Sequence, residues 1–498
     1  MEIEEILSVK EENGLKRFTN KKYAFEFISN ESEYGFGFKG KTWLRGGGWR
    51  VISEDKVFTR EDLEYEGSYT VKGIDELGRY IGAAYRWRGS INASLEFRVY
   101  EESFVVTKIE VDGLVSGKHV DIDFPMFADP SKVAEDIRLS AIMSDRAFPF
   151  IRIFKPPKTL EKFAESSAHG TQFLPLWVYD EERSLVLLPM DNFIDYRVVN
   201  LREEGLKGFS LRLSGICPSS RIEARSLMYY SEEGPSEALI RAGWLLRKLY
   251  NKVPVSREIP CFKFLGYSTA NGSYYFNRFN EKVILDVIDY MEREGIPVKW
   301  MQLDVMWYKC GIHPDVQRTL VKLFKGVKFS EIDGMRYINT AWAIHELEPD
   351  EKYFPNGFEN IKARMPIGVW IWTTRFTEDT PYKQKYPWIE EENLPKSREF
   401  WLDIAKRFKE YNVIWVETDN LCDILGRKGV LERIGEKERW LLNVFEAFGE
   451  YNIPVQLCMT PSIIYPVALK SRNACLCLLY TSDAADELDG VDLGGRRI

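Results

Sequence analysis

The feature that most constrains this chain is an alternation beginning near residue 260, in which apolar runs and amphipathic helices take turns until five runs have passed. The first run is Phe262–Gly266. Ile284, Val287, Ile288 and Met291 then fall at i, i+3, i+4 and i+7, one stripe of a helix. Gly295-Ile296-Pro297 turns the chain into the run Val298–Leu303, and a longer insert follows to about Tyr353. Phe354-Pro355-Asn356-Gly357 introduces a helix around Phe358–Ala363, which leads to the run Ile367–Trp372. A stripe of Trp401, Ile404, Ala405 and Phe408 precedes Val413–Val416. Another, of Leu441, Val444, Phe445 and Phe448, passes through Asn452-Ile453-Pro454 into Val455–Met459. Runs this apolar are buried on both faces, and a strand–helix–strand rhythm joins parallel strands. The fold class expected here is a (β/α)8 TIM barrel, with a doubly wound sheet as the alternative. No G-x-G-x-x-G follows any run, which weakens a nucleotide-binding reading.

Residues 1–232 read differently. Short alternating runs recur at Tyr23–Ile28, Ser94–Tyr100, Val105–Val111, Ser184–Pro189 and Arg221–Tyr230, separated by turn signals such as Asp112-Gly113 and Gly46-Gly47-Gly48. Many strands with few helical patterns predict an all-β sandwich. Gly234-Pro235-Ser236-Glu237 then opens a helix whose apolar face is Ala238, Ile240, Ala242, Leu245, Leu246 and Leu249, and Pro254 ends it. The expected organisation is a β-sandwich domain over 1–232, a helical connector over 233–258, a barrel domain over 259–474 and a tail over 475–498.

Composition narrows the function classes. The chain's 498 residues exceed one typical domain. A net charge of −8 without a basic block argues against a nucleic-acid partner. The N-terminal MEIEEILSVKEENG is acidic and lacks the apolar core of a secretory signal, and no uncharged apolar run could span a membrane. The cysteines at 217, 261, 310, 422 and 458 have neither metal nor disulfide spacing, so a cytoplasmic location is expected. With only four histidines, including His169 in a polar loop and His313 and His345 in the barrel half, no metal and no cofactor is expected. The 14 Trp and 25 Tyr suit carbohydrate faces and large sheet cores equally.

In a barrel, chemistry collects at the C-terminal ends of the strands. The first run is followed by Tyr267 and Asn271, the second by Asp304 and Trp307, and the third by Trp372 and Arg375. The fourth ends in Glu417 and Asp419, which lie two residues apart and so point to one side of a strand, with Trp415. Such a pair is either a catalytic presentation or two solvated acids in a turn. Aromatic planes stack on the apolar faces of sugars, and acids and amides grip hydroxyls. A phosphate site would want glycines and basic residues instead. Asp304, Glu417 and Asp419, with Asn271, Trp307, Trp372, Arg375 and Tyr267, are the candidate catalytic and sugar-binding residues of this rim.

In order and spacing these motifs resemble glycoside hydrolase family 36 and the raffinose synthases, within the α-galactosidase clan. Gly266–Tyr275 is similar to their first-strand G-W-C-T-W-D-A-F-Y, and Leu303-Asp304 followed by Trp307 is similar to their L-D-D-G-W. Glu417-Thr418-Asp419 sits where their fourth strand carries K-x-D. The resemblance spans roughly residues 260–465 and implies the family's supersandwich for residues 1–232. It implies a retaining α-glycoside hydrolase, α-galactosidase-like, with Asp419 as nucleophile and a glycoside or oligosaccharide as substrate. A raffinose-synthase-type transglycosidase and a non-catalytic carbohydrate-binding protein are the alternatives. Tyr267 stands for Trp, Asn271 for Asp, Val305 for the second Asp and Glu417 for Lys, which marks a divergent branch.

The tail Cys477–Glu487, CLLYTSDAADE, resembles one translated frame of a transposase sequencing adaptor. The barrel is therefore expected to stop after about strand five. The sixth strand, after which the family places its acid/base, would then be missing and the fragment inactive. Asp423 is expected to cap a helix.

Overall fold

The computed structural model describes residues 6–38, 41–54, 56–128, 138–145, 148–154, 174–201, 208–253, 263–269, 280–304, 307–312, 342–419, 421–458 and 460–476. Asn271, His169, His313, Val305 and the tail from 477 lie outside them. The chain forms two compact units. One takes Met1–Lys252, Val430–Glu438 and Pro461–Leu469; the other takes Val253–Gly429, Arg439–Thr460 and Lys470–Ile498.

The first unit is built on two antiparallel sheets, of ten and nine strands among the described residues. All five sequence runs are strands here, at Phe25–Ser29, Asn92–Tyr100, Phe104–Asp112, Ser184–Pro189 and Arg221–Ser231. The inward residues of the two sheets meet in an aromatic core. Phe97 of one sheet lies 5.2 Å from Phe27 and 5.1 Å from Tyr34 of the other, ring centre to ring centre. Asp123 is fully buried and accepts hydrogen bonds from two arginines: Arg50 Nε at 2.8 Å and Arg212 Nε at 2.7 Å. Helix α1, Pro235–Leu249, packs on the strands Ser184–Pro189 and Arg221–Ser231. It buries Ala238, Ala242, Leu245 and Leu246. Ile240 was expected on that stripe but is 48% exposed. Two residues on from Ala238 is about 200° of rotation at 3.6 residues per turn, which is the opposite side of the helix.

The second unit holds a six-stranded parallel sheet: β1 Gly266–Ser268, β2 Trp300–Leu303, β3 Ile367–Ile371, β4 Val413–Thr418, β5 Val455–Leu457 and β6 Ala474–Leu476. Its spatial order is its sequence order. Crossovers of one hand that always advance the same way put every helix on one face of the sheet. A doubly wound sheet needs a reversal of strand order, and none occurs among the described strands. The helices are α2 Glu281–Arg293, the single turn α3 Glu359–Lys362, α4 Arg398–Glu410 and α5 Glu436–Glu450. Gly295, Asn412 and Asn452 take positive φ (66°, 61° and 55°) just beyond α2, α4 and α5, the left-handed residue that ends a helix. The insert after β2 contains a hairpin of Tyr308–Ile312 and Trp342–Pro349.

The expectation of a sheet ending at strand five is corrected here. Ala474, Cys475 and Leu476 pair in parallel with Val455, Gln456 and Leu457. Three residues are too short to show a strand period in sequence. Pairing with an existing edge is what makes them a strand.

Candidate active site

Side chains alternate along a strand, so the parallel register sorts this sheet into two faces. Gln302, Gly368 and Trp415 share one register row, and Trp370, Glu417, Gln456 and Cys475 share the next. All seven point to the same face. The other face carries Met301, Leu303, Ile367, Val369, Ile371, Val416 and Val455, every one fully buried. Such an apolar face is what a helix layer covers. The face with Gln302, Glu417 and Gln456 is polar at its centre, although these residues too are nearly inaccessible.

Gly368 makes that centre possible. A Cβ on it would lie 1.7 Å from Nε1 of Trp415, so the indole lies directly over the glycine. The Trp415 ring meets Trp300 edge-on at 5.2 Å. Gln302 Nε2 donates to Glu417 across the intervening strand β3. Glu417 is thus a buried acceptor fixed by an amide, beneath the strand ends.

Asp304 and Asp419 are each the first residue past a strand, β2 and β4, and both stay buried at 8% and 7% exposure. The Asp304 N–H donates to Thr269 Oγ1 at 2.9 Å. Asp419 Oδ2 accepts from Trp370 Nε1 at 3.2 Å, and its own N–H donates to the Ile371 carbonyl at 3.3 Å. The carboxylate is therefore held by side chain and main chain from β3. Thr418 points the other way, its hydroxyl 2.8 Å from that of Thr373.

Tyr308, which sequence reasoning passed over, completes the group. It is fully buried, and burial raises its hydroxyl well above the ordinary range. Cys310, Asp304 and Asp419 act in the same direction, so this neutral phenol lies near both carboxylates. Its only signal was its place just past the second apolar run, beside Trp307.

The other expected residues divide. Trp372 lies beside Trp370, ring centres 5.7 Å apart. Its Nε1 is buried without an acceptor among the described residues. The Arg375 guanidinium lies over the Trp372 ring at 4.0 Å and bonds Asp423 through Nε at 2.5 Å and Nη2 at 3.1 Å. Asp423 was expected to cap a helix; it instead neutralises Arg375 from the turn Leu421–Gly426. Trp307 is corrected. It is fully buried, donates to the Trp370 carbonyl at 2.7 Å, and packs between Phe358 and Phe408 in the core under the helices. Tyr267 is corrected as well: it pairs with Met301, which puts it on the face opposite Glu417. Asn271 lies outside the described residues.

Among the described residues no cluster of His, Cys, Asp and Glu could hold a metal ion. Burial pushes the Cys422 thiol up to about 11, with Asp423 and Asp419 adding to the effect, so it stays protonated near neutral pH. No helix among the described residues is long and apolar enough to cross a membrane.

No family model matches the sequence, and no curated protein matches it. Solved structures do match the fold. A β-arabinopyranosidase aligns with TM-score 0.51 and 11% identity, over 92% of this chain and 68% of that one. A variant of a Glycoside Hydrolase Family 97 enzyme from Pseudoalteromonas sp. strain K8 gives 0.52 and 10%, over 89% and 66%. The quadruple mutant of an alpha-N-acetylgalactosaminidase from Bifidobacterium bifidum gives 0.50 and 8%, over 90% and 77%. The chain therefore carries a glycoside-hydrolase-like fold, antiparallel sheets followed by a parallel strand–helix sheet. At these identities the likeness is one of fold.

Proposed function

We propose that the chain is part of a retaining glycoside hydrolase acting on α-glycosides, with Asp419 as its nucleophile. The observation that carries the reading is the placement of Asp419 at the C-terminal end of β4, with its carboxylate held by Trp370 Nε1. Asp304, at the end of β2 with β3 between it and β4, suits a hydroxyl ligand. Glu417, fixed by Gln302, shapes the floor beneath. Trp372 offers a buried N–H donor toward a bound group.

In this mechanism an oxygen of Asp419 bonds to the anomeric carbon as the glycosidic C–O bond breaks, and the leaving oxygen takes a proton from a general acid. Water then attacks the glycosyl ester and loses its proton to the same group. By the family pattern that group follows strand six, a stretch lying outside the described residues.

A dinitrophenyl α-glycoside tests the assignment, because its leaving group departs without protonation. Mixing with excess protein should release a burst of dinitrophenolate and leave a glycosyl ester on the peptide containing Asp419. Asp419→Asn should abolish both. A burst of undiminished size in that variant sinks the assignment.

A further inference from the structure

The first unit contains a cleft that the active-site reading does not use. It measures about 700 Å³, within the range of small-molecule sites. One wall is α1; the other comes from the turns at Lys22–Ala24 and Glu102–Ser103 and from the end of the strand Arg221–Ser231. Trp244 stands at its rim and is 52% exposed, rare for so large an apolar ring. The Arg241 guanidinium covers one side of this indole at 4.8 Å and is itself held by Glu237 at 2.6 Å. Arg241 thereby covers part of the indole, and about half of the side chain remains open to solvent. A second, shallower recess of about 450 Å³ also has Trp244 in its wall. The indole thus borders two adjoining spaces.

The charges restrict what can enter. Four carboxylates line the cleft (Glu102, Glu232, Glu233 and Glu237) against three cations (Lys22, Arg241 and Lys248). All three cations are engaged, Arg241 by Glu237, Lys248 by the Leu77 carbonyl at 3.0 Å and Lys22 over the Tyr23 ring at 4.9 Å. The first turn of α1 has Pro235, which lacks an N–H, and Glu237, whose charge occupies the helix N-terminus. An anion gains nothing here. What remains is an exposed aromatic plane beside acceptors for hydroxyl groups, with the Tyr229 hydroxyl among Tyr23, Glu102, Arg241 and Glu237.

We propose that this cleft is a second, non-catalytic binding site for a neutral oligosaccharide, with one sugar ring stacked on Trp244. The proposal is independent of the reading of Asp419, because every residue in it belongs to the first unit.

Calorimetric titration of the whole chain with raffinose and with maltotriose tests it, using Asp419→Asn protein so that turnover does not contribute heat. At least one trisaccharide should bind. Trp244→Ala should weaken that binding by roughly tenfold, the loss of one stacked ring, and Trp244→Phe should recover part of it. A melting curve confirms that each variant folds. Unchanged affinity in Trp244→Ala overturns the proposal. So does the absence of binding by both sugars tighter than about 10 mM, or binding of inorganic phosphate in their place. The dinitrophenolate burst, measured with Trp244→Ala alone, should keep its full size. Its loss only in Asp419→Asn separates the two sites.

Discussion

At the scale of single residues, burial decides which polar groups matter. Asp123 is fully buried between Arg50 and Arg212, also buried. The two guanidinium groups repel each other, and Asp123 answers both, with Asp121 a further carboxylate 3.5 Å from Arg212. Asp123→Ala should therefore cost about 3–5 kcal/mol, the cost of leaving buried charge unanswered. Urea unfolding measures it; a loss under about 1 kcal/mol would show that water reaches the arginines. Trp307 and Tyr308 make a related point about legibility. They are adjacent aromatics after the same strand, yet one packs under helices and the other lies near two carboxylates. Beyond a strand end no period fixes direction, so the sequence could not choose between them.

At the scale of elements, period was a reliable guide and its edges were not. The stripes of α4 and α5 are buried as their spacing predicts: Trp401, Ile404, Ala405 and Phe408 on one, Leu441, Val444, Phe445 and Phe448 on the other. Glu417 and Asp419 share a face because they sit two apart on one strand. Tyr267 faces away from Glu417 because it pairs in register with Met301, whose neighbour Gln302 is on the Glu417 side, and register is set by the partner strand. Gly368 had no sequence signal at all. Its role exists only because Trp415 of the next strand needs the space. Gly368→Ala should destabilise the second unit by about 1–3 kcal/mol through overpacking and disturb the near-ultraviolet dichroism of the Trp300–Trp415 pair. A native-like spectrum and melting temperature would contradict that packing.

At the scale of the whole molecule, segments far apart in sequence are joined by buried acids. Within the first unit, the Gly435 N–H donates to Asp195 Oδ2 at 2.6 Å, and Glu438 accepts from the Phe193 N–H at 3.0 Å. Burial pushes Asp195 up to about 7, against the pull of the Gly435 N–H and Lys437 and with the push of Glu438 and Glu436. A carboxyl whose folded pKa is raised favours the folded state below its unfolded value, near 4, and that advantage is lost as pH rises toward 7. Stability should fall by about 1.4 kcal/mol per pH unit in that window and level off above it. Asp195→Asn keeps an acceptor for Gly435 without the charge. It should match the parent near pH 4 and melt several degrees higher at pH 8. Parallel melting curves across this range would refute the assignment.

The sequence by itself determined the two-part plan, the parallel sheet and the side on which Glu417 and Asp419 point, because helix and strand periods are local and survive without a partner. Tertiary structure alone decided the sequential strand order, the sixth strand at Ala474–Leu476 and the placement of Tyr308. It also decided the packing of Trp307 between Phe358 and Phe408 and the cleft beside Trp244. Each of these depends on contacts between residues distant in the chain, where no period reaches.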